Sequence, residues 1–551
     1  MGLKTEREKA GVMANTTARV IVLGRKRLGR VHDGLFGQFI ELAGRCINNG
    51  LYDPASSQAR ADGVRADVLD ALRQLRPGFL RYPGGCAASY FDWQELVGPK
   101  ESRPRAKLFR ATNVPQSTAF GIPEAWSLCQ ELGAELYLTV NAHTQSPEDA
   151  ANLVEYLNST APTRYADLRR SHGREEPYGV KLFGLGNEIY GNWQAGRKTA
   201  SEYAAWCAEA ILQMKRVDPA IRVVVCGLGR PDPEWDRTVL FRLIGQADMI
   251  SMHNYFGRPV FADSMAASRI CEQYIAAANH LIDEAMDIPL GVHSRAHREL
   301  GGLPVVSRRP GIAFDEWNVW YRTGHDPVRD LEEIYNYTDA LTVASLLHVV
   351  LRNAKTIDLS CISLAVNTLG SIFTDRDRLV RQTIWYPQQL LRDTHAGCVV
   401  ETVVDGPVFK ARHERFFCGI VDPEKAKDET RPSLVLFDDV EALDVVATVD
   451  DARRKLTLSI VQKLSDSPLT VSLDLRGVTP CGEQMTVHRL TGGDNLLEEN
   501  TLDHPHRVGT TTERVNLATT ITLPPASLTV LEMELADSDA GDVRSCQHIA
   551  V

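Results

Sequence analysis

Residues 181–196 read KLFGLGNEIYGNWQAG. An apolar run through Val180, Leu182, Phe183 and Leu185 is broken by Gly184 and Gly186 and delivers Asn187 and Glu188 at its tip. Tyr190 and Trp193 follow at once. The inner strands of a parallel barrel are near-continuously apolar, and barrel enzymes gather their catalytic groups at the C-terminal ends of those strands. On this stretch alone, a buried strand followed by a polar loop whose Glu merely opens a helix competes with a catalytic reading. Residues 311–321, GIAFDEWNVWY, decide between the two. A short apolar run again precedes carboxylates, Asp315-Glu316, and then Trp317, Trp320 and Tyr321. Cleavage of a glycosidic bond needs two carboxyl groups flanking the scissile bond, one protonated and one ionised. Two strand-end glutamates, each followed by an indole able to floor a sugar ring, are difficult to explain by packing alone.

Outward from these stretches, the chain from Gly34 to about Gln389 alternates short apolar runs with amphipathic helical ones, the pattern of parallel strands joined by helices. Strands are predicted over 35–40, 79–82, 136–141, 181–185, 222–226, 249–253, 312–314 and 361–366, with helices including 67–75, 123–132, 147–157, 199–217, 264–286 and 330–352. The fold class predicted is α/β, a (β/α)8 TIM barrel over 34–397. Glu188 then ends the fourth strand and Glu316 the seventh. Glu41 follows the first strand, Arg81 with Gly84-Gly85 ends the second, Asn141 the third, and His253 with Tyr255 the sixth. Polar groups thus collect on one face. The long connection 288–310 reads as a lid, an oligomer contact or a plain surface loop.

Beyond 397 ten short runs, among them 416–421, alternate apolar and polar residues, separated by turn signals such as Thr491-Gly492-Gly493-Asp494. This predicts an all-β, jelly-roll-like sandwich over 398–536. The β-branched run 18–23, within 17–33, is expected to join a later sheet. Residues 1–16 read as a disordered leader and 537–551 as a loose tail.

Composition excludes several classes. Net charge is −10, from 61 basic and 71 acidic residues, without a basic run for nucleic acid. The longest apolar stretch, 341–351, is interrupted by Thr342, Ser345 and His348 and is too short to span a bilayer. The opening MGLKTEREKAG has no apolar core, so a cytoplasmic address is expected. Eleven cysteines without a C-x-x-C pair point to reduced thiols instead of a disulfide framework or zinc site. His143 and His172 group with no metal ligands, and Gly184-x-Gly186 lacks the rest of a dinucleotide fingerprint, with Ile at 189. No metal or cofactor is expected.

RYPGG at 81–85, VGP at 97–99, GNE at 186–188 and FDEWNVWY at 314–321, in this order, resemble glycoside hydrolase family 51, the α-L-arabinofuranosidases. The resemblance spans roughly residues 17–535. It implies a barrel with a C-terminal β-sandwich that takes in the N-terminal strand, and a retaining double displacement on arabinose-containing oligosaccharides or glycosides. By the same resemblance Glu188 is the acid/base and Glu316 the nucleophile. Asn187 holds the sugar 2-hydroxyl, Tyr255 orients the nucleophile, and Glu41 and Arg81 bind the sugar or hold the carboxylates. Trp93 and Trp193 line the approach. His253 either assists or is a satisfied core histidine. A homo-oligomer is expected. Retention asks for carboxyl groups about 5–5.5 Å apart, against about 6.5–9.5 Å for inversion. Glu188 must hold a proton at neutral pH, which burial near a second carboxylate favours. Asp315 should point to the opposite side of its strand from Glu316.

Three positions depart from the family pattern toward less polar residues: Leu42 in IELAGR, Cys86 in RYPGGC, and Leu364 where a Gln is usual. They predict a preference shifted near the exocyclic carbon, with a galactofuranosidase, β-xylosidase or endoglucanase as alternatives. A non-catalytic carbohydrate-binding protein is a different class, opposed by intact Glu188 and Glu316.

Overall fold

Eight parallel strands close on themselves in chain order: Gly37–Phe39, Phe79–Tyr82, Glu135–Val140, Leu182–Leu185, Arg222–Val225, Met249–Phe256, Gly311–Val319 and Ile357–Ile362. The computed structural model describes residues 17–109, 114–228, 233–287, 308–321, 331–414 and 434–536. The leader, the tail, nearly all of the 288–310 connection and the strand expected over 416–421 lie outside those residues.

Four barrel strands differ from expectation: the first is shortened to Gly37–Phe39, the sixth runs on from 253 to Phe256, and the last two shift as well. The seventh runs on to Val319, so Glu316 lies within it and not beyond its end. The eighth is Ile357–Ile362, not 361–366, because Ile357 already pairs with Ile312 and Cys361 with Gly37; the chain leaves the ladder after Ile362. Helix starts follow local chemistry. Ser146 and Thr199 cap the helices Pro147–Asn158 and Ala200–Val217, each accepting a backbone N–H from the third residue on. The helix expected from 330 begins only at Tyr337, because Asn336 is its cap and accepts from the Asp339 backbone N–H.

Strand Thr17–Arg30 pairs antiparallel with Cys398–Asp405 and parallel with Leu469–Arg476, inside a nine-stranded sheet. Alternation explains how this sheet packs on two sides. Leu443, Val445, Ala447 and Val449 face a core shared with Val20, Val22, Leu458, Val471 and Leu531, which come from strands across the sheet, so it folds over itself as a sandwich. Val446, Val461 and Val530 point the other way and join the core that fills the barrel and its helices.

Helix Tyr337–Arg352 sits in that seam, buried from Tyr337 to Leu351. The apolar stretch 341–351 is therefore covered by protein on both sides. Among the described residues no helix is long and apolar enough to cross a membrane. At its end Asp444, 4% exposed, accepts from Arg352 Nη1 at 2.6 Å, lies 3.2 Å from Lys463 Nζ, and meets His348 Nδ1 at 3.2 Å. Burial would push this carboxyl up, but Arg352 and Lys463 hold it well below the usual range. A depressed carboxyl stabilises the fold fully above its unfolded pKa, about 3.9, and loses that contribution as pH falls through the folded value. Asp444→Asn leaves buried Lys463 without its carboxylate and half-buried Arg352 with Glu272 alone, and should cost about 3 kcal/mol at pH 7. The gap to wild type should narrow below about pH 4. Urea unfolding at both pH values checks this; equal stability at pH 7 contradicts it.

Of the described cysteines, eight are free and Cys398 is disulfide-bonded. The expectation of uniformly reduced thiols is corrected to that extent.

Candidate active site

The C-terminal ends of the strands bring the predicted glutamates together. One carboxylate oxygen of Glu188, one of Glu316 and a ring nitrogen of His253 lie within 4.8 Å of one another. Glu188 adopts a left-handed backbone, φ 43°. That conformation costs a non-glycine residue about 1–3 kcal/mol and is held only where surrounding structure fixes it. Here the fixing groups are visible. The Asn187 N–H donates to His143 Nε2 at 3.2 Å, and His143 Nδ1 faces the Ala195 carbonyl at 3.0 Å, so His143 braces the loop from beneath.

Glu316 is gripped on both oxygens. Tyr255 OH donates to Oε1 at 2.7 Å and Arg81 Nη1 to Oε2 at 2.8 Å. Arg81 Nη2 donates to Asn187 Oδ1 at 2.7 Å, which leaves Asn187 Nδ2 buried without a partner among the described residues. A buried donor left open is costly unless a ligand completes it. The Arg81 guanidinium also lies over the Phe39 ring, 4.5 Å from its centroid. Gly85 permits this crowding: a Cβ there would come within 3.0 Å of Glu316 Oε2 and 3.3 Å of Asn187 Oδ1.

Glu41 accepts from the Ala87 N–H at 2.8 Å, and burial followed by the charge of Glu316 pushes its carboxyl up to about 8. It is neutral at pH 7, so it can donate a hydrogen bond where an ionised carboxylate could only accept. Trp193, 47% exposed, donates from Nε1 to Glu188 Oε2 at 2.9 Å. An open indole thereby flanks Glu188. Trp93 does not join it: the ring is buried, packed on Tyr156 and Tyr165. Trp317 is likewise a packing residue, stacked on Phe314 with its N–H on Ser360.

Asp315 is placed differently from expectation. Its carboxylate accepts from Tyr137 OH at 2.7 Å, and its other oxygen lies 3.4 Å from His253 Nε2, on the same side as Glu316. The cause is a register shift: Ala313 pairs with Ser251 but Glu316 with His253, so strict alternation fails between them. Tyr137 and Ser363, whose Oγ lies 2.8 Å from Tyr255 OH, are further members that no pattern in the sequence exposes.

Protonation also differs. Burial alone would raise Glu188, but the hydrogen bonds from His253 and Trp193 and the charge of Arg81 hold it below the ordinary range. His253, which burial would lower, is pushed up to about 10 by Glu316, Asp315 and Glu188. Both shifts run in the direction that places the shared proton on the imidazole rather than on Glu188. Arg81 supplies a fixed positive charge beside the three converging residues.

The less polar positions are packed in. Leu42 and Leu364 are buried. Cys86 Sγ accepts from Gln194 Nε2 at 3.0 Å, and burial with the charge of Glu188 keeps the thiol protonated. It has no activating base and is no nucleophile.

Comparisons with known proteins agree with this geometry. Residues 71–270 match the family model for the alpha-L-arabinofuranosidase 1 domain, and residues 315–527 that for the alpha-L-arabinofuranosidase C-terminal domain. The chain is 33% identical to alpha-L-arabinofuranosidase C of Emericella nidulans over 410 residues, 72% of this chain and 79% of that protein. It is 30% identical to the intracellular exo-alpha-(1->5)-L-arabinofuranosidase of Acetivibrio thermocellus, over 84% of this chain and 88% of the relative. Among solved structures, the GH51 alpha-L-arabinofuranosidase of Thermotoga petrophila superposes with TM-score 0.81 at 30% identity, covering 94% of this chain and all of that one.

Proposed function

Because this chain belongs to glycoside hydrolase family 51, the α-L-arabinofuranosidases, we propose a division of labour in which Glu316 attacks the anomeric carbon and Glu188 serves the departing oxygen. The enzyme is a retaining exo-glycosidase that removes terminal non-reducing α-L-arabinofuranosyl residues. In the first half-reaction Glu316 forms an ester to the sugar while Glu188 gives a proton to the leaving oxygen. In the second, Glu188 takes a proton from water as that water displaces Glu316. The observation that carries this assignment is the approach of the two carboxylates within 4.8 Å, the short spacing that a covalent intermediate requires. Tyr255 and Arg81 each hold one oxygen of Glu316 and so orient it for attack. The open Nδ2 of Asn187 supports its role on the sugar 2-hydroxyl, and neutral Glu41 suits a second hydroxyl. Trp193 suits the leaving-group side.

The relatives do not favour the shifted sugar preference expected from Leu42, Cys86 and Leu364. Two bacterial relatives named intracellular support a cytoplasmic address, and a homo-oligomer acting on arabinan fragments completes the reading. A panel of aryl α-L-arabinofuranosides, β-D-galactofuranosides and β-D-xylosides tests it. The arabinofuranoside should lead in kcat/KM by at least about 100-fold, about 2.7 kcal/mol of transition-state preference. The first-formed sugar should keep its anomeric configuration by NMR. A leading xyloside, or an inverted first product, would refute the assignment.

A further inference from the structure

The geometry points to His253 as the proton-positioning residue of this site: set between Glu188 and Asp315, its ring passes the catalytic proton to Glu188 and takes it back once per turnover. The inference rests on the assignment of Glu188 as the acid/base.

The surroundings of the ring argue for it. His253 Nδ1 lies 3.1 Å from Glu188 Oε1 and 3.6 Å from Glu316 Oε2. On the far side Nε2 faces Asp315 Oδ1 at 3.4 Å, and each of those two atoms is without another hydrogen-bond partner among the described residues. Both ring nitrogens therefore look at carboxylate oxygens only, which makes both of them donors. The remaining charged and titratable neighbours fit. Arg81 lies 3.7 Å from Asp315 and 2.8 Å from Glu316, and Tyr137 and Tyr255 donate their hydroxyls to the same two carboxylates. Glu41 is neutral at pH 7, and the Cys226 thiol at the end of the fifth strand is held protonated by burial.

The bookkeeping closes. The resting ring is an imidazolium and Glu188 a carboxylate. Nδ1–H breaks and Glu188 O–H forms, leaving a neutral ring whose Nε2–H stays on Asp315. Glu188 then protonates the leaving oxygen as Glu316 gains its bond to the sugar, and the cluster keeps its net charge. Glu316, now an ester, no longer attracts a charged ring, so His253 stays neutral and Glu188 stays basic. When water attacks, its proton reaches Glu188, and the renewed charge on Glu316 draws a proton back onto His253.

His253→Asn keeps a donor near the Nδ1 position but holds no transferable proton. Its pH profile of kcat/KM is the readout, measured on whichever aryl glycoside the wild type cleaves best, so that a failed sugar assignment leaves this test intact. In wild type the alkaline limb reports loss of the proton shared by the pair; in the variant Glu188 holds it alone. The limb should move toward acid by more than about one pH unit. A dinitrophenyl glycoside, which leaves without a proton, should lose under about tenfold, and an alkyl glycoside more than about 100-fold. An unmoved limb with equal losses for both leaving groups overturns the proposal. If His253→Asn fails to fold, Asp315→Asn provides the second reading: removing the anchor should shift the limb in the same direction, and an unmoved limb there overturns the proposal equally.

Discussion

Glu316→Ala should lose turnover by roughly 10⁴-fold or more on every aryl glycoside, whatever the leaving group, because no other described group can make the bond to the anomeric carbon. Glu316 is held on one oxygen by Tyr255 and on the other by Arg81, so its carboxylate is fixed before substrate arrives. The truncation also leaves buried Arg81 with one partner fewer, although Asp315 still compensates it at 3.7 Å. The variant should therefore fold. Added azide should restore part of the rate and give a glycosyl azide of inverted configuration, since the small anion enters from the face that Glu316 occupied. Wild-type-like turnover in the folded variant, or an azide product of retained configuration, would sink the nucleophile assignment.

Glu188→Ala should behave differently, and the contrast identifies the two roles. Loss of a general acid costs about 10²–10⁴-fold where the leaving oxygen needs a proton and little where it does not. With a dinitrophenyl arabinofuranoside the first half-reaction should stay fast while the second, lacking its base, stalls. A pre-steady-state burst of phenol followed by slow turnover is the expected trace. Azide should then accelerate turnover and yield a product of retained configuration, because it attacks the glycosyl-enzyme from the side Glu188 vacated. Trp193 would lose its partner on Glu188 Oε2, so the indole should become more mobile without loss of the fold. A variant that falls equally on good and poor leaving groups would place Glu188 outside acid/base chemistry.

The two glutamates were legible because strand-end placement is a property of short segments. An apolar run that stops at a carboxylate says where that carboxylate emerges, and the barrel then aligns all such ends. Arg81, Asn187 and Tyr255 were legible for the same reason. Asp315 was not, because its direction depends on a register shift set by pairing with Ser251 and His253, far away in the chain. Trp93 and Trp317 misled because an indole looks the same in sequence whether it floors a sugar or fills a gap between helices and strands. The proton on His253 was also out of reach: it is fixed by Glu188, Asp315 and Glu316 at once, and no single stretch contains that arrangement. In the sheet domain the alternation was readable strand by strand. The continuity of one nine-stranded sheet depends on long-range pairing that alternation does not encode.

Strand Thr17–Arg30 also sets the order of events on the ribosome. Its neighbours are Cys398–Asp405 and Leu469–Arg476, so this segment leaves the exit tunnel hundreds of residues before either partner. At a synthesis rate of about 5–20 residues per second the wait for the first mate is roughly 20–75 s, and for the second roughly 20–90 s, while the barrel segments emerge in between. Nascent chains stalled before residue 398 should therefore expose this segment to added protease or chaperone, and its protection should appear as Cys398–Asp405 and then Leu469–Arg476 emerge.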